Sequence, residues 1–156
     1  MKFVDSVTIH AIAGHGGQGM VAYRREKFVP RGGPSGGNGG HGGSVTFVAN
    51  RNVGTLIDLR YRSEIRARDG RRGEPKMKNG ANAEDALVRV PVGTVVRDAS
   101  TREIIGDLVS DGDVCVAAQG GRGGKGNAFF KTSVNQTPSY AQPGESGAEL
   151  TVTLEL

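Results

Sequence analysis

The chain has one cysteine, no tryptophan, and aromatic side chains at only 5% of its 156 residues. A lone Cys115 excludes any disulfide within the chain and points to a reducing cytosol. Cys115 lies in the apolar run VCVAA, a setting that makes a thiol inert, so it is not read as a nucleophile. The shortage of aromatics limits the core to Val, Ile and Leu. No apolar run approaches the ~20 residues that cross a membrane, and MKFVDSVTIH has no hydrophobic signal core. The three histidines, His10, His15 and His41, have no Cys or carboxylate at ligand spacing, which argues against a metal site.

What the chain has in excess is glycine, at 26 residues. Glycine loses the most entropy on folding, so so many must serve a purpose. The densest run is GGPSGGNGGHGG, residues 32–43. Gly33, Gly36, Gly39 and Gly42 recur at every third position, and Gly37, Gly40 and Gly43 repeat that interval one residue later. A period of three belongs to the polyproline II helix, which makes no internal hydrogen bonds. Two glycines in three leave two faces bare, so other backbones can pack directly on them. At about 3.1 Å per residue the run would reach roughly 37 Å, against a radius of gyration of roughly 15 Å for a domain of this length. It must therefore project, and it needs companions to be ordered. Two candidates share its spacing: Gly14 to Gly19, and Gly120, Gly123 and Gly126 interleaved with Gly121 and Gly124.

Two of these segments imitate nucleotide motifs. Gly14, Gly16 and Gly19 have GxGxxG spacing after a strand, but the next segment meets Pro30 too early for a crossover helix. In QGGRGGKGN, Lys125 is followed by Gly126 rather than a hydroxyl residue, and position 119 is Gln, so it is not a phosphate-binding loop. Taken alone, that fragment also fits an RGG-type disordered RNA-binding segment.

The net charge is +4, unevenly spread. Segments 24–31, 60–78 and 122–131 sum to +11, leaving −7 elsewhere. This describes a basic working surface on a mildly acidic body, as a polyanion binder needs. Tyr23 and Phe28 near the first cluster suit anchoring better than base stacking.

In chain order, alternation predicts strands at 3–13, 44–49, 53–59, 86–90 and 94–98. Residues 104–109 and 114–118 read as a pair joined through Asp111-Gly112. ELTVTLEL is a half-buried strand at the C-terminus, which raises the expectation that more chain follows it. A helical turn is expected over 20–27, a long exposed loop over 60–78, and a polar, turn-rich stretch over 127–147. The fold class is all-β.

Together, FVD at 3–5, GHGGQGMVAYRREKFVPRGGPSGGNGGHGG, KNGANAED, VRVPVGTVV, GGRGGKGN and PGESGAE resemble the N-terminal glycine-rich domain of the Obg family of GTPases. The resemblance spans nearly the whole chain. It implies a single domain, residues 1–156, with a β-barrel-like (jelly-roll type) base and a protrusion of six glycine-rich left-handed helices. It implies a GTPase domain after residue 156, binding GTP or GDP with Mg²⁺; this chain itself is expected to hold no cofactor and to catalyse nothing. It also implies a cytoplasmic, monomeric factor for large ribosomal subunit assembly, whose protrusion reaches rRNA near the peptidyl-transferase centre. Carried over by position, the protrusion tips would hold Arg24, Arg25, Lys27 and Arg31; Arg71, Arg72, Lys76 and Lys78; and Arg122 and Lys125. A rival reading is a structural polyproline II protein that binds a surface or a protein partner without nucleic acid. It would want regular Thr or Ala where this chain has Ser35, Asn38 and His41.

Overall fold

The computed structural model describes residues 6–25 and 32–156. Among the described residues, eight strands form the base: β1 (Ser6–Ile12), β2 (Val45–Ala49), β3 (Glu64–Arg66), β4 (Ala86–Val90), β5 (Thr94–Asp98), β6 (Ile104–Leu108), β7 (Val114–Ala118) and β8 (Glu149–Glu155). They make a five-stranded sheet, β3-β1-β8-β5-β6, and a three-stranded sheet, β4-β2-β7. The sheets enclose one core built from alternate positions. Val7, Ile9 and Ala11 face inward from β1, opposite Leu154, Val152 and Leu150 of β8. Phe47 at the centre of β2 is fully buried with Val45, Val90, Val96 and Leu56.

Three local expectations change. Residues 53–59 contain no strand; a 3₁₀ turn at Ile57–Tyr61 lays Leu56 and Leu59 into the core instead. β6 and β7 do not pair: β6 is bonded to β5 and β7 to β2, so the turn at Gly112 carries the chain between sheets. They touch where Cys115 Sγ lies against the bare Cα of Gly106. Burial pushes the Cys115 thiol up from its ordinary pKa. The stretch 60–78 is not one loop either, because Glu64–Arg66 pairs parallel to β1 and the chain then enters the protrusion.

The protrusion has six extended rods: residues 13–24, 33–44, 67–74, 78–85, 119–126 and 141–148, numbered here rods 1 to 6. Rods 1, 3 and 5 leave β1, β3 and β7; rods 2, 4 and 6 return into β2, β4 and β8. Bonds step by three. The N–H groups of Gly14, Gly17 and Met20 donate to the carbonyls of Gly43, Gly40 and Gly37, at 2.9–3.0 Å. Those of Gly16 and Gly19 donate to Glu145 and Gln142 of rod 6, both at 2.9 Å. The carbonyls of His15 and Gln18 accept from Gly70 and Gly73 of rod 3, both at 2.8 Å. Successive residues thus address different neighbours, as a threefold helix requires. The helical turn expected from residue 20 is absent from the described part: Met20 bonds sideways and Tyr23 bridges to Pro34.

The rod glycines are there for space. The only glycines with positive φ are Gly93 and Gly112, both outside the rods. All glycines except Gly33, Gly54, Gly93, Gly106 and Gly112 would drive an added Cβ into a neighbouring backbone carbonyl oxygen. Gly33 therefore leaves the set of packing glycines, since an added Cβ there meets only Lys131 Nζ at 3.7 Å.

Side chains complete the ladder where a residue between the glycines is not glycine. Asn38, His41 and Ser44 of rod 2 accept from the N–H groups of Gly126, Gly123 and Gly120 at 2.8, 3.0 and 2.9 Å. Their own N–H groups donate to Asn79, Asn82 and Asp85 of rod 4, at 2.9, 2.8 and 2.8 Å. The KNGANAED stretch thus places an amide or carboxylate oxygen at every third position.

Gly37→Val should lower the unfolding temperature by more than about 5 °C and expose the protrusion to protease, because backbone cannot yield as a side chain can. Gly54→Ala, with nothing within 4 Å of the new Cβ, should be neutral or stabilise by up to about 1 kcal/mol. Matched thermal unfolding of both variants checks the difference.

Candidate nucleic-acid interface

The ends of the second and third hairpins meet the described part of the first at the level of Ala22, Tyr23 and Ser35. Ser35 near the end of rod 2 accepts from Met77 N–H, 2.7 Å, and Tyr23 of rod 1 donates its hydroxyl to the Pro138 carbonyl, 2.9 Å. Tyr23 is thus an anchor. Asn127 locks the junction and is completely buried. Its Oδ1 accepts from Gly36 N–H (2.8 Å) and Ala22 N–H (3.3 Å). Its Nδ2 donates to the carbonyls of Ala22 and Pro138, both at 3.0 Å. Every bond an amide side chain can usefully make here is made. Charge counting passed over Asn127 because it is neutral.

Exposed cations outnumber acids at this end: Arg24 and Arg25 from the first hairpin, Lys76 and Lys78 from the second, Lys125 and Lys131 from the third, against Glu74 among the described residues. Lys27, Arg31 and Phe28 lie outside the described residues. In the second hairpin, Lys76 and Met77 take φ of 64° and 61°. Two adjacent non-glycine residues in the left-handed region cost of order 1 kcal/mol each, and this turn spends that strain on presenting a lysine and an exposed methionine outward.

Arg71, Arg72 and Arg122 are not at the tips. They ride on the shafts of rods 3 and 5, exposed. Arg122 is also paired: its guanidinium donates to both carboxylate oxygens of Glu145, at 2.9 and 3.1 Å. The hydrogen bond from Arg122 holds the Glu145 carboxyl below its usual range. A groove beside rod 3 is lined by Arg66, Arg68 and Arg71 but also by Asp69, Glu84 and Asp85, so its charge is mixed.

The nucleotide look-alikes can be tested on the backbone. A phosphate cradle needs free N–H groups. In residues 120–126, the N–H groups of Gly120, Gly121, Gly123, Gly124, Lys125 and Gly126 all donate within the protein. In residues 14–19 the same holds for Gly14, His15, Gly16, Gly17 and Gly19. Neither segment offers a phosphate a row of free N–H groups. The histidines are used structurally: His15 and His41 accept rod N–H groups at Nδ1, and His10 bonds Thr151 at 2.9 Å. Among the described residues no group of three or more His, Cys, Asp and Glu is placed to hold a metal, and no helix is long and apolar enough to cross a membrane.

The GTP1/OBG family profile matches residues 4–156. The chain belongs to the GTP1/OBG family. It is 53% identical to a GTPase Obg of Persephonella marina, over all of this chain and 46% of that protein. It is 55% identical to a GTPase Obg of Myxococcus xanthus, over all of this chain and 32% of that protein. A GTPase Obg of Chlorobaculum parvum is 51% identical, with 47% of it covered. The chain thus spans less than half the length of these GTP1/OBG relatives, and its all-β architecture agrees with the family resemblance of its motifs.

Two outcomes are expected here. Asn127→Leu, which leaves buried N–H and carbonyl groups unpaired, should cost about 2–4 kcal/mol in denaturant unfolding. Glu145→Gln should barely move the unfolding temperature at pH 7, because the pair is exposed. The folded Glu145 titrates below its unfolded value, so whatever stability the wild-type pair adds is present above the ordinary carboxylate range and is lost as pH falls through the depressed value. The freed Arg122 should raise affinity for a polyanion such as heparin and steepen its salt dependence by about one phosphate.

Proposed function

We propose that this chain is the ribosome-docking, rRNA-binding domain of a GTP-dependent factor that acts in assembly and control of the large ribosomal subunit. The observation that carries the reading is a basic tip, Arg24, Arg25, Lys76, Lys78, Lys125 and Lys131, where the second and third hairpin ends meet the described part of the first on a stiff glycine stalk. A narrow probe of this kind enters a folded RNA cavity that a globular surface cannot. Recognition then rests on phosphates and shape rather than sequence. The reach of rods 1 and 2, about 30 Å for ten residues, suits a deep target such as the peptidyl-transferase centre. Arg71, Arg72 and Arg122, with Lys27 and Arg31, are assigned to the same RNA contact, the first three along the shaft.

GTP hydrolysis belongs, in this reading, to a further domain of the full-length protein. The relatives named GTPase Obg are more than twice as long as this chain, and the chain's own glycine loops have no free N–H row for phosphate. GTP or GDP and Mg²⁺ would bind there, this domain serving as a monomeric, non-catalytic anchor in the cytoplasm. The surface-binding alternative loses its regular face, because Asn38 and His41 are consumed by inter-rod bonds.

Co-sedimentation with large ribosomal subunits tests the docking. Wild type should bind, with a logarithmic salt slope of about four if six phosphates are neutralised. Arg24→Glu/Arg25→Glu/Lys76→Glu should reduce binding at least about tenfold; equal binding by both would remove the tip from the interface.

A further inference from the structure

The third hairpin end carries something the basic clusters do not account for. Phe129, Phe130 and Tyr140 form one aromatic group. The Phe129 and Phe130 ring centroids are 5.3 Å apart, edge to face, and those of Phe130 and Tyr140 are 4.9 Å apart. Phe130 is the half-buried centre, while Phe129 and Tyr140 are 61% and 52% exposed. In a chain with aromatics at only 5%, three rings gathered at the far end of a polar protrusion are not a core.

The group is held in place from both sides. Asn127, two residues before Phe129, donates to the carbonyl of Pro138, two residues before Tyr140. The 3₁₀ turn Asn127–Phe130 then fixes the angle at which the phenylalanines leave rod 5. The rings are therefore presented by a pinned loop, which lowers the ordering cost of using them. Charge completes the setting. Lys125 Nζ stands 5.2 Å from the Phe129 ring centroid, Lys131 is exposed next in sequence, and residues 119–140 contain no Asp or Glu.

We propose that Phe129, Phe130 and Tyr140 form a stacking platform for unpaired nucleobases of RNA, with Lys125 and Lys131 pairing the adjoining phosphates. The exposed rings of Phe129 and Tyr140 take the bases; Phe130 braces them. This combination of aromatic faces and flanking cations is what sequence-tolerant single-strand binding uses. The flanking cations, Lys125 over the Phe129 ring and Lys131 next to Phe130 in sequence, favour a polyanion over an apolar protein partner, even with Val134 and Met77 exposed at this end. The proposal rests on the RNA-docking reading and adds a base-contacting element to what is otherwise a phosphate and shape interaction.

A single-stranded RNA 12-mer with a central 2-aminopurine, and the same strand with an abasic site there, provide the test on the whole chain. Wild type should quench the reporter on binding and prefer the base-containing strand. Phe129→Leu/Tyr140→Leu should bind at least about tenfold more weakly, lose the quench and keep the salt slope. Tyr140→Phe, which keeps the ring, should behave as wild type. Lys125→Ala/Lys131→Ala should flatten the salt slope yet still quench at saturation. Both rings are exposed, so unchanged thermal unfolding of the leucine variant excludes misfolding; if it does unfold early, the abasic comparison on wild type decides alone. A wild-type chain that sediments with large subunits but neither quenches nor distinguishes the abasic strand overturns the platform only. A chain that does not bind either RNA or subunits overturns the docking reading as well.

Discussion

A backbone N–H can reach a neighbouring backbone carbonyl at 2.8–3.0 Å across a rod interface only if no Cβ stands between them. That exclusion governs the protrusion. A polyproline II rod satisfies none of its own polar groups, so alone it must be solvated. Six of them, stepped by three, satisfy one another, and each buried rung is worth about 0.5–1.5 kcal/mol net. Glycine at the contact positions makes the approach possible and carries an entropic cost that only the collective ladder offsets. Stiffness follows from the same arrangement, since no rod can bend without opening rungs to two to four neighbours.

The arrangement also separates support from contact. Rods 1 and 2 are each bonded to four other rods, and glycine fills most of their contact positions. Outward-facing side chains belong mainly to the outer rods and the hairpin ends, with His15, Gln18 and His41 exposed on the inner shafts. Asn127 joins the two regimes: it closes the last rungs and fixes the loop beyond them. The part played by the base is placement. Its small aliphatic core positions β1, β2, β3, β4, β7 and β8 so that their ends launch and receive the rods.

Rods 1, 2 and 5 were legible from spacing because they carry glycine at two of three positions over much of their length. Rods 3, 4 and 6 were not. Rod 3 needs glycine only at Gly70 and Gly73, rod 6 at Gly144 and Gly147, and rod 4 at Gly80, because they lie at the rim and keep side chains outward. Their period of three is written partly in polar residues, Asn79, Asn82 and Asp85, which look like a turn-rich loop. The expected helix from Met20 failed because local propensity lost to lateral bonding. The expected β6–β7 pair failed because a tight turn does not reveal which sheet the next strand joins. Charge found the basic clusters, yet it could not separate tip from shaft for Arg71, Arg72 and Arg122. Nor could it bring Tyr140 to Phe130, since their contact is made by the folded loop between them.

The connectivity of the rods has a consequence in time. Rods 1 and 2 are the first to be synthesised, but their partners include residues 68–74, 119–127 and 141–148. Chains emerge from the N-terminus onward, and contacts of such long sequence separation form slowly. The central rods must therefore wait, glycine-rich and extended, until almost the whole chain is available. The assembled basic tip then exists only when the last rod has closed, so under the proposed docking, affinity for RNA would report that folding is finished.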